Sequence, residues 1–217
     1  MSAKYPRSFH LPWSPGGTSD DRRLLDVSGL IDVEIVITEK CDGSNLTYTR
    51  DHVFSRSHAG PPGHRSFDLA KATHARLAHL ISEGLSVFCE YCYAVHSLVY
   101  EALPDYSLVF GVRDDVRGMW WDWDMVAAQA LELGLPTVPL LFRGRVSDES
   151  ALHELTEALS NETSAFGGMR EGVVVRRAGE FEDSQFSRSL AKWVRRDHVT
   201  TDEHWMHQVI QVQRLRE

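Results

Sequence analysis

A mainly antiparallel α+β fold is predicted for this 217-residue chain. Strand-like runs outnumber helical ones, and several follow one another with only turn residues between them, which disfavours a doubly wound parallel sheet. The balance of 42% hydrophobic and 25% charged residues is that of an ordinary globular protein rather than a disordered or fibrous one.

The runs that predict strands are rich in β-branched and aromatic residues and are flanked by turn formers. They are DVEIVIT (32–38), NLTYT (45–49), LSVFCEYCYAV (85–95), YSLVFGV (106–112), GMWWDW (118–123), TVPLLF (137–142), EGVVVRR (171–177) and LAKWVRR (190–196). Helical periodicity predicts helices over 67–84, 124–134, 148–161 and 202–216, with Asp124 and Asp148 near N-caps and Gly134 closing the second helix. The segment 55–66, SRSHAGPPGHRS, is too polar and too broken by Gly and Pro for a core element; loops of this kind often border a site. No repeat or linker divides the chain. The expected organisation is one catalytic domain over residues 1–200 and a helical tail over 201–217 without a separate second domain.

A formal net charge of −8 argues against holding nucleic acid by bulk electrostatics and leaves room only for a local basic patch, with Arg22-Arg23, Arg176-Arg177 and Arg195-Arg196 as candidates. The N-terminal residues lack the apolar core of a secretory signal, and no run of about 18 apolar residues exists to span a bilayer. The expectation is a cytoplasmic protein with no membrane partner. Three cysteines make no disulfide framework; Cys89 and Cys92 lie on a predicted strand, where residues three apart face opposite ways and cannot share a metal ion. His204 and His207 stand three apart on the tail helix without further ligands and read as part of an amphipathic helix.

The segment TEKCDGSN (38–45) carries the chemistry. It ends one predicted strand and turns into the next, so that Lys40 can sit at the floor of a cleft while Gly43 lets the chain pass close to a bound nucleotide. An amine with a reference pKa of about 10.4 is a nucleophile only once neighbouring positive charge or desolvation removes its proton. Taken alone, K-x-D-G is also a common polar turn. Downstream of it, in order, come an acid in an apolar strand (Glu90), an aromatic strand ending at Phe110, the run Glu171-Gly172-Val173-Val174, and the run Leu190-Ala191-Lys192-Trp193-Val194.

That order resembles the covalent nucleotidyltransferase superfamily of ATP-dependent DNA ligases, RNA ligases and messenger-RNA capping enzymes. The spacing of Lys40, Gly43 and Asn45, with Glu39 before them, is similar to RNA ligases of the phage RNA ligase 2 type, and the likeness runs from about residue 4 to residue 205. The resemblance implies a ligase catalytic-domain fold of antiparallel sheets flanked by helices. It also implies ATP as cosubstrate, AMP as a covalent adduct on Lys40, Mg²⁺ or Mn²⁺, and RNA ends as the partner, with DNA or hybrid ends as an alternative.

By the same resemblance Lys192 contacts the α-phosphate and depresses the pKa of Lys40, and Arg56 reaches a nucleotide phosphate or the RNA end. Glu90 is assigned to the ribose hydroxyls, Glu171 to the shell of the divalent ion with Glu90 as a second metal-side acid, and Phe110 to stacking on adenine. Glu39, Asp42 and Asn45 are nucleotide contacts, Asp42 with loop ordering as its alternative. The pattern departs in three places. Val194 stands where many ligases have a second lysine, with Arg195 next along; Gly111 follows the aromatic where an acid is common; and only residues 197–217 follow Arg196, so that either a partner protein supplies nucleic-acid binding or the chain is a minimal ligase that grips its substrate weakly. A small DNA ligase and a nucleotide-binding module without transferase activity are the competing functional readings.

Overall fold

The computed structural model describes residues 4–16, 21–58, 60–196 and 210–217. In chain order the elements are β1 (Phe9–His10), β2 (Ile35–Lys40), β3 (Ser44–Tyr48), β4 (Val53–Ser55), α1 (Asp68–Leu77), β5 (Leu85–Tyr91), β6 (Ser107–Asp114) and β7 (Met119–Trp120). They continue with α2 (Trp123–Glu132), β8 (Leu140–Gly144), α3 (Glu149–Ser160), β9 (Gly172–Arg177), β10 (Phe181–Glu182), α4 (Phe186–Ser189) and β11 (Leu190–Val194). This is the antiparallel α+β class read from the strand runs: among the named strands, only the pairing of β1 with β11 is parallel.

Two sheets form, one in the order β1-β11-β9-β2-β8 and the other β10-β7-β6-β5-β3-β4. Period-two alternation sorts the first sheet into two faces. Ile35, Ile37, Val173, Val175, Ala191 and Trp193 turn outward into a core with Leu11, Leu30 and Leu152 of α3. The opposite face presents Val36, Thr38 and Lys40, and the register sets Lys40 against Gly172 and Thr38 against Val174. Lys192 in turn lies across from Val174 on β11. Phe88, Trp120, Phe181, Phe186 and Leu190, with Tyr5, Phe110 and Val174 against them, form an aromatic cluster to which both sheets contribute. The largest core lies around β3, β5, β6, α1 and α2.

Several boundaries differ from the sequence expectation. The run 118–123 contributes only Met119–Trp120 to a sheet, because Asp122 caps α2 by accepting a hydrogen bond from the Met125 N–H at 2.8 Å. Asp124, expected near that cap, lies in the first turn and pairs with Arg143. Asp148 does cap α3, accepting from the Ala151 N–H at 2.9 Å. Helix α1 is shorter than 67–84, passing into a 3₁₀ turn over Ala78–Leu80.

The tail is the larger correction. Residues 202–209, with His204 and His207, lie outside the described residues, but 210–217 carry no helix: Val212 bridges Ala94 and Leu215 bridges Leu103. Among the described residues no helix is long and apolar enough to cross a membrane.

At one point the two strands that carry the site leave no room for a side chain. A Cβ on Gly172 would lie 2.0 Å from the Trp193 carbonyl oxygen on β11. Gly172→Ala is therefore expected to cost about 1–3 kcal/mol by overpacking, a fall in Tm of roughly 2–4 °C per kcal/mol for a domain of this size. Thermal melting followed by circular dichroism checks this; an unchanged Tm would contradict the close approach.

Candidate active site

Lys40 is the last residue of β2, and its partner is Glu171, immediately before β9. The Lys40 Nζ donates to both carboxylate oxygens of Glu171 at 2.6 Å. Glu171 is only 4% exposed, and the ammonium offsets part of the cost of burying its carboxylate. Burial pulls the Lys40 pKa down, but the Glu171 carboxylate, with Glu90 and Asp42 adding to it, pushes it up further; the net value lies above the ordinary 10.5. The amine is an ammonium here. The sequence expectation of an amine depressed by Lys192 is thus reversed, because the nearest charge is a carboxylate in direct contact.

Lys192 itself behaves differently. Burial lowers its pKa and the positive charge of Lys40 adds to the fall, while Asp21, 3.5 Å from its Nζ, works against it. Behind it His10 is 1% exposed, its Nδ1 2.9 Å from the Ser14 Oγ and its Nε2 3.5 Å from Asp21. Burial, then the charge of Lys192, pushes His10 down to about 4, so it faces Asp21 as a neutral ring near pH 7.

A cavity of about 930 Å³ opens over this face and is bordered by every residue to which the resemblance assigned a nucleotide or catalytic role except Glu171, which lies against it through Lys40. Bordering a cavity does not give each side chain the same freedom. The Glu39 carboxylate points away from Lys40, as alternation along β2 requires. It accepts from the Ser164 hydroxyl at 2.5 Å and the Ala165 N–H at 3.0 Å, and pairs with Arg170 at 3.4 Å. Its carboxylate thus anchors the back of the strand, while Glu39 itself still borders the cavity.

Asp42 is likewise occupied, accepting from the N–H groups of Ser97 and Leu98 at 2.7 and 2.8 Å, so loop ordering describes it. At Gly43 a Cβ would meet the Tyr91 carbonyl oxygen at 2.7 Å, and its own N–H donates to Glu90 at 3.0 Å.

Asn45 stands directly across from Glu90 in the register of β3 and β5, and its buried Oδ1 has no hydrogen-bond partner among the described residues. Phe110 and Val174, from opposite sheets, give the cavity an apolar portion, and Arg56 is exposed at its border. Of the arginine pairs, Arg176 is no surface patch; it is 3% exposed and donates to the Trp121 carbonyl at 2.6 Å. Arg195 follows the end of β11 and reaches Met169 at 2.9 Å, while Val194 is buried opposite Gly172.

Sequence reasoning missed Tyr5, whose ring sits edge-on to Phe110 at 5.0 Å, as well as Thr38 and the pair His10–Asp21. Thr38 could have been found from alternation with Lys40. No group of three or more metal-ligating side chains occurs among the described residues.

Glu90 provides a test of this electrostatic arrangement. Burial pushes its carboxyl up to about 7, with Lys40 opposing and Glu171 and Asp42 adding to the rise. Between its ordinary 4.5 and about 7 the folded chain keeps a proton that the unfolded chain has released, so this group makes stability fall as pH rises through that window. Urea unfolding at several pH values is expected to show a shallower fall for Glu90→Gln than for the wild type; identical slopes would contradict the burial of this acid.

The sequence profile of the RNA ligase family matches residues 33–194, more than half of the chain, including both strands that hold Lys40 and Lys192. A comparison with curated protein sequences gives no match. Among solved structures, a point mutant of the RNA ligase of Naegleria gruberi with ATP and Mn matches with a TM-score of 0.57 at 14% identity. The same organism's ligase with PPi matches at 0.55 and 16%, and a mutant with AMP and Mn at 0.54 and 16%. Each match covers 77% of this chain and 51% of the other, so the chain spans about half the length of the structures it resembles. By the extent of the profile match, the chain belongs to the RNA ligase family.

Proposed function

We propose that this protein is an ATP-dependent RNA ligase that joins 5′-phosphate to 3′-hydroxyl ends through an AMP adduct on Lys40. The observation that carries this reading is the placement of Lys40: one amine at a strand end, in contact with the buried Glu171 and facing a cavity that also holds a second lysine and the half-buried Glu90.

The residues present fit a nucleotide. The cavity falls in the size range of small-molecule sites, with an apolar portion at Phe110 and Val174 and an unpartnered buried acceptor at Asn45. Lys40, Lys192 and Arg56 bring positive charge to the same space, as a triphosphate requires. They also fit a hydrated divalent ion such as Mg²⁺ or Mn²⁺, since such ions keep several waters and need few protein ligands; Glu171 and Glu90 are the acids placed to hold it. When bound, the ion would neutralise phosphate charge and draw on the Glu171 carboxylate.

In the reaction so read, the Lys40 Nζ forms a bond to the α-phosphorus of ATP while the bond from that phosphorus to the bridging oxygen breaks, and pyrophosphate leaves. The amine must first lose a proton, and Glu171 is the group in contact with it. Lys192, lowered in pKa but still paired with Asp21, supplies a cation from the next strand but one to the α-phosphate oxygens. The adenylyl group then passes to a 5′-phosphate and a 3′-hydroxyl displaces AMP.

The Naegleria ligase structures with ATP and Mn and with AMP and Mn support ATP and a divalent metal as the ligands to test first. RNA ends are the proposed substrate by family membership, with DNA or hybrid ends as the alternative.

The test is incubation with ATP labelled in the α-phosphate and Mg²⁺ or Mn²⁺ between pH 6 and 9. Label is expected on the protein, absent in Lys40→Ala and reduced about 100-fold in Lys192→Ala, the scale of losing one preorganised charge contact. Retained ATP binding without any adduct would replace the ligase by a binding module, and preferential sealing of all-DNA ends would overturn the RNA assignment.

A further inference from the structure

The segment after residue 209 does not hang from the domain. Its backbone is hydrogen-bonded on both sides of the loop that follows β5: the Val95 N–H donates to the Gln211 carbonyl at 2.8 Å, the Gln213 N–H to Tyr93 at 2.9 Å, and the Leu103 N–H to Arg214 at 3.0 Å. Gln213 is the centre of this contact and is only 3% exposed. Its Oε1 accepts from the Tyr100 N–H and its Nε2 donates to the Leu98 carbonyl, both at 2.7 Å, while its own carbonyl accepts from the Tyr106 hydroxyl at 3.2 Å. A side-chain amide spanning two backbone groups in this way fixes the loop that lies between them.

The same loop holds the nucleophile's turn from its other side. Tyr100 is fully buried, and its hydroxyl accepts the Asp42 N–H at 2.7 Å. The Asp42 carboxylate in turn takes the N–H groups of Ser97 and Leu98. From Gln213 to Asp42 the path is two side chains long, and Asp42 is two residues from Lys40. Nothing else among the described residues bonds the Asp42 amide or carboxylate.

We propose that residues 210–217 act as a clasp that sets the position of the Lys40 turn, with Gln213 as a positioning residue acting through Tyr100 and Asp42. The inference deepens the ligase reading and rests on it for its catalytic consequence, but the structural coupling stands by itself. Loss of the clasp leaves the Leu98 carbonyl and Tyr100 N–H unpaired in a buried place, and the loop must shift to find water. The Lys40 amine then departs from in-line geometry, and the covalent step suffers more than nucleotide binding does.

The experiment uses the full chain carrying Gln213→Ala, Gln213→Met, Tyr100→Phe and the double change Q213A with Y100F. For Gln213→Ala the rate of adduct formation at saturating ATP is expected to fall about tenfold while the ATP concentration at half-saturation changes less than twofold. In the double variant the rate should stay near that of Gln213→Ala, because both changes cut one path; a purely structural loss at separate places would multiply the two effects. Gln213→Met keeps the side chain's bulk without its hydrogen bonds and reads the same outcome if the alanine variant fails to fold.

In parallel, hydrogen exchange of the peptide containing Asp42 is expected to quicken about tenfold in the Gln213 variants. Unchanged exchange there, or a rate that falls multiplicatively in the double variant, would overturn the clasp. Absence of any adduct in the wild type would instead overturn the ligase reading, and the exchange measurement would still decide the clasp.

Discussion

The site depends on a register: β2 against β9 with Lys40 opposite Gly172. That alignment places Glu39-Lys40 beside Arg170-Glu171, two charged pairs of reversed order. Alternation along β2 sends Lys40 to the cavity side and Glu39 to the back, while Arg170 and Glu171, which precede β9, turn so that Glu171 meets Lys40 and Arg170 meets Glu39. A buried charge without its partner is costly, so the two ion pairs hold the β2–β9 alignment in place. Gly172 belongs to the same constraint, since any side chain there would collide with the Trp193 carbonyl and push the Lys192 strand away.

The electrostatics follow from that register. Glu171 holds the Lys40 amine charged, against the burial that would otherwise discharge it. A lysine held in this way is protected from unwanted reaction, and in the proposed chemistry it becomes a nucleophile only when the negative charge of Glu171 is engaged elsewhere. Lys192 and His10, by contrast, are pushed downward by burial and by the cations beside them. The three groups thus differ in role: Lys40 is an ammonium held by Glu171, Lys192 carries a cation on the next strand but one, and neutral His10 backs the Asp21 carboxylate that holds it.

The long strands were legible because their apolar runs must alternate or be buried on both faces, and the segments around 35–40, 85–91, 107–114 and 172–177 do so. β1 and β10 were not, since two-residue strands owe their pairing to a partner and carry no period of their own. The tail misled for a related reason: the spacing of Val209, Val212 and Leu215 fits a helix, yet Val212 and Leu215 bridge Ala94 and Leu103 in extended chain, where backbone pairing with the loop outweighs local preference. In the site, Lys40 and its ordered companions could be read from motif order. The outward turn of Glu39 was also available, as the necessary opposite of Lys40. The charge state of Lys40 was not, because it turns on whether the Glu171 side chain reaches the amine, a matter of ångströms that spacing does not express.

The most direct test of this account is the titration of Lys40 itself, followed by NMR of the protein carrying labelled lysine side chains, without nucleotide. The account predicts that the Lys40 amine remains protonated above its ordinary 10.5 and that Glu171→Gln brings its titration down. A Lys40 amine that titrates at or below the ordinary value in the wild type would contradict it.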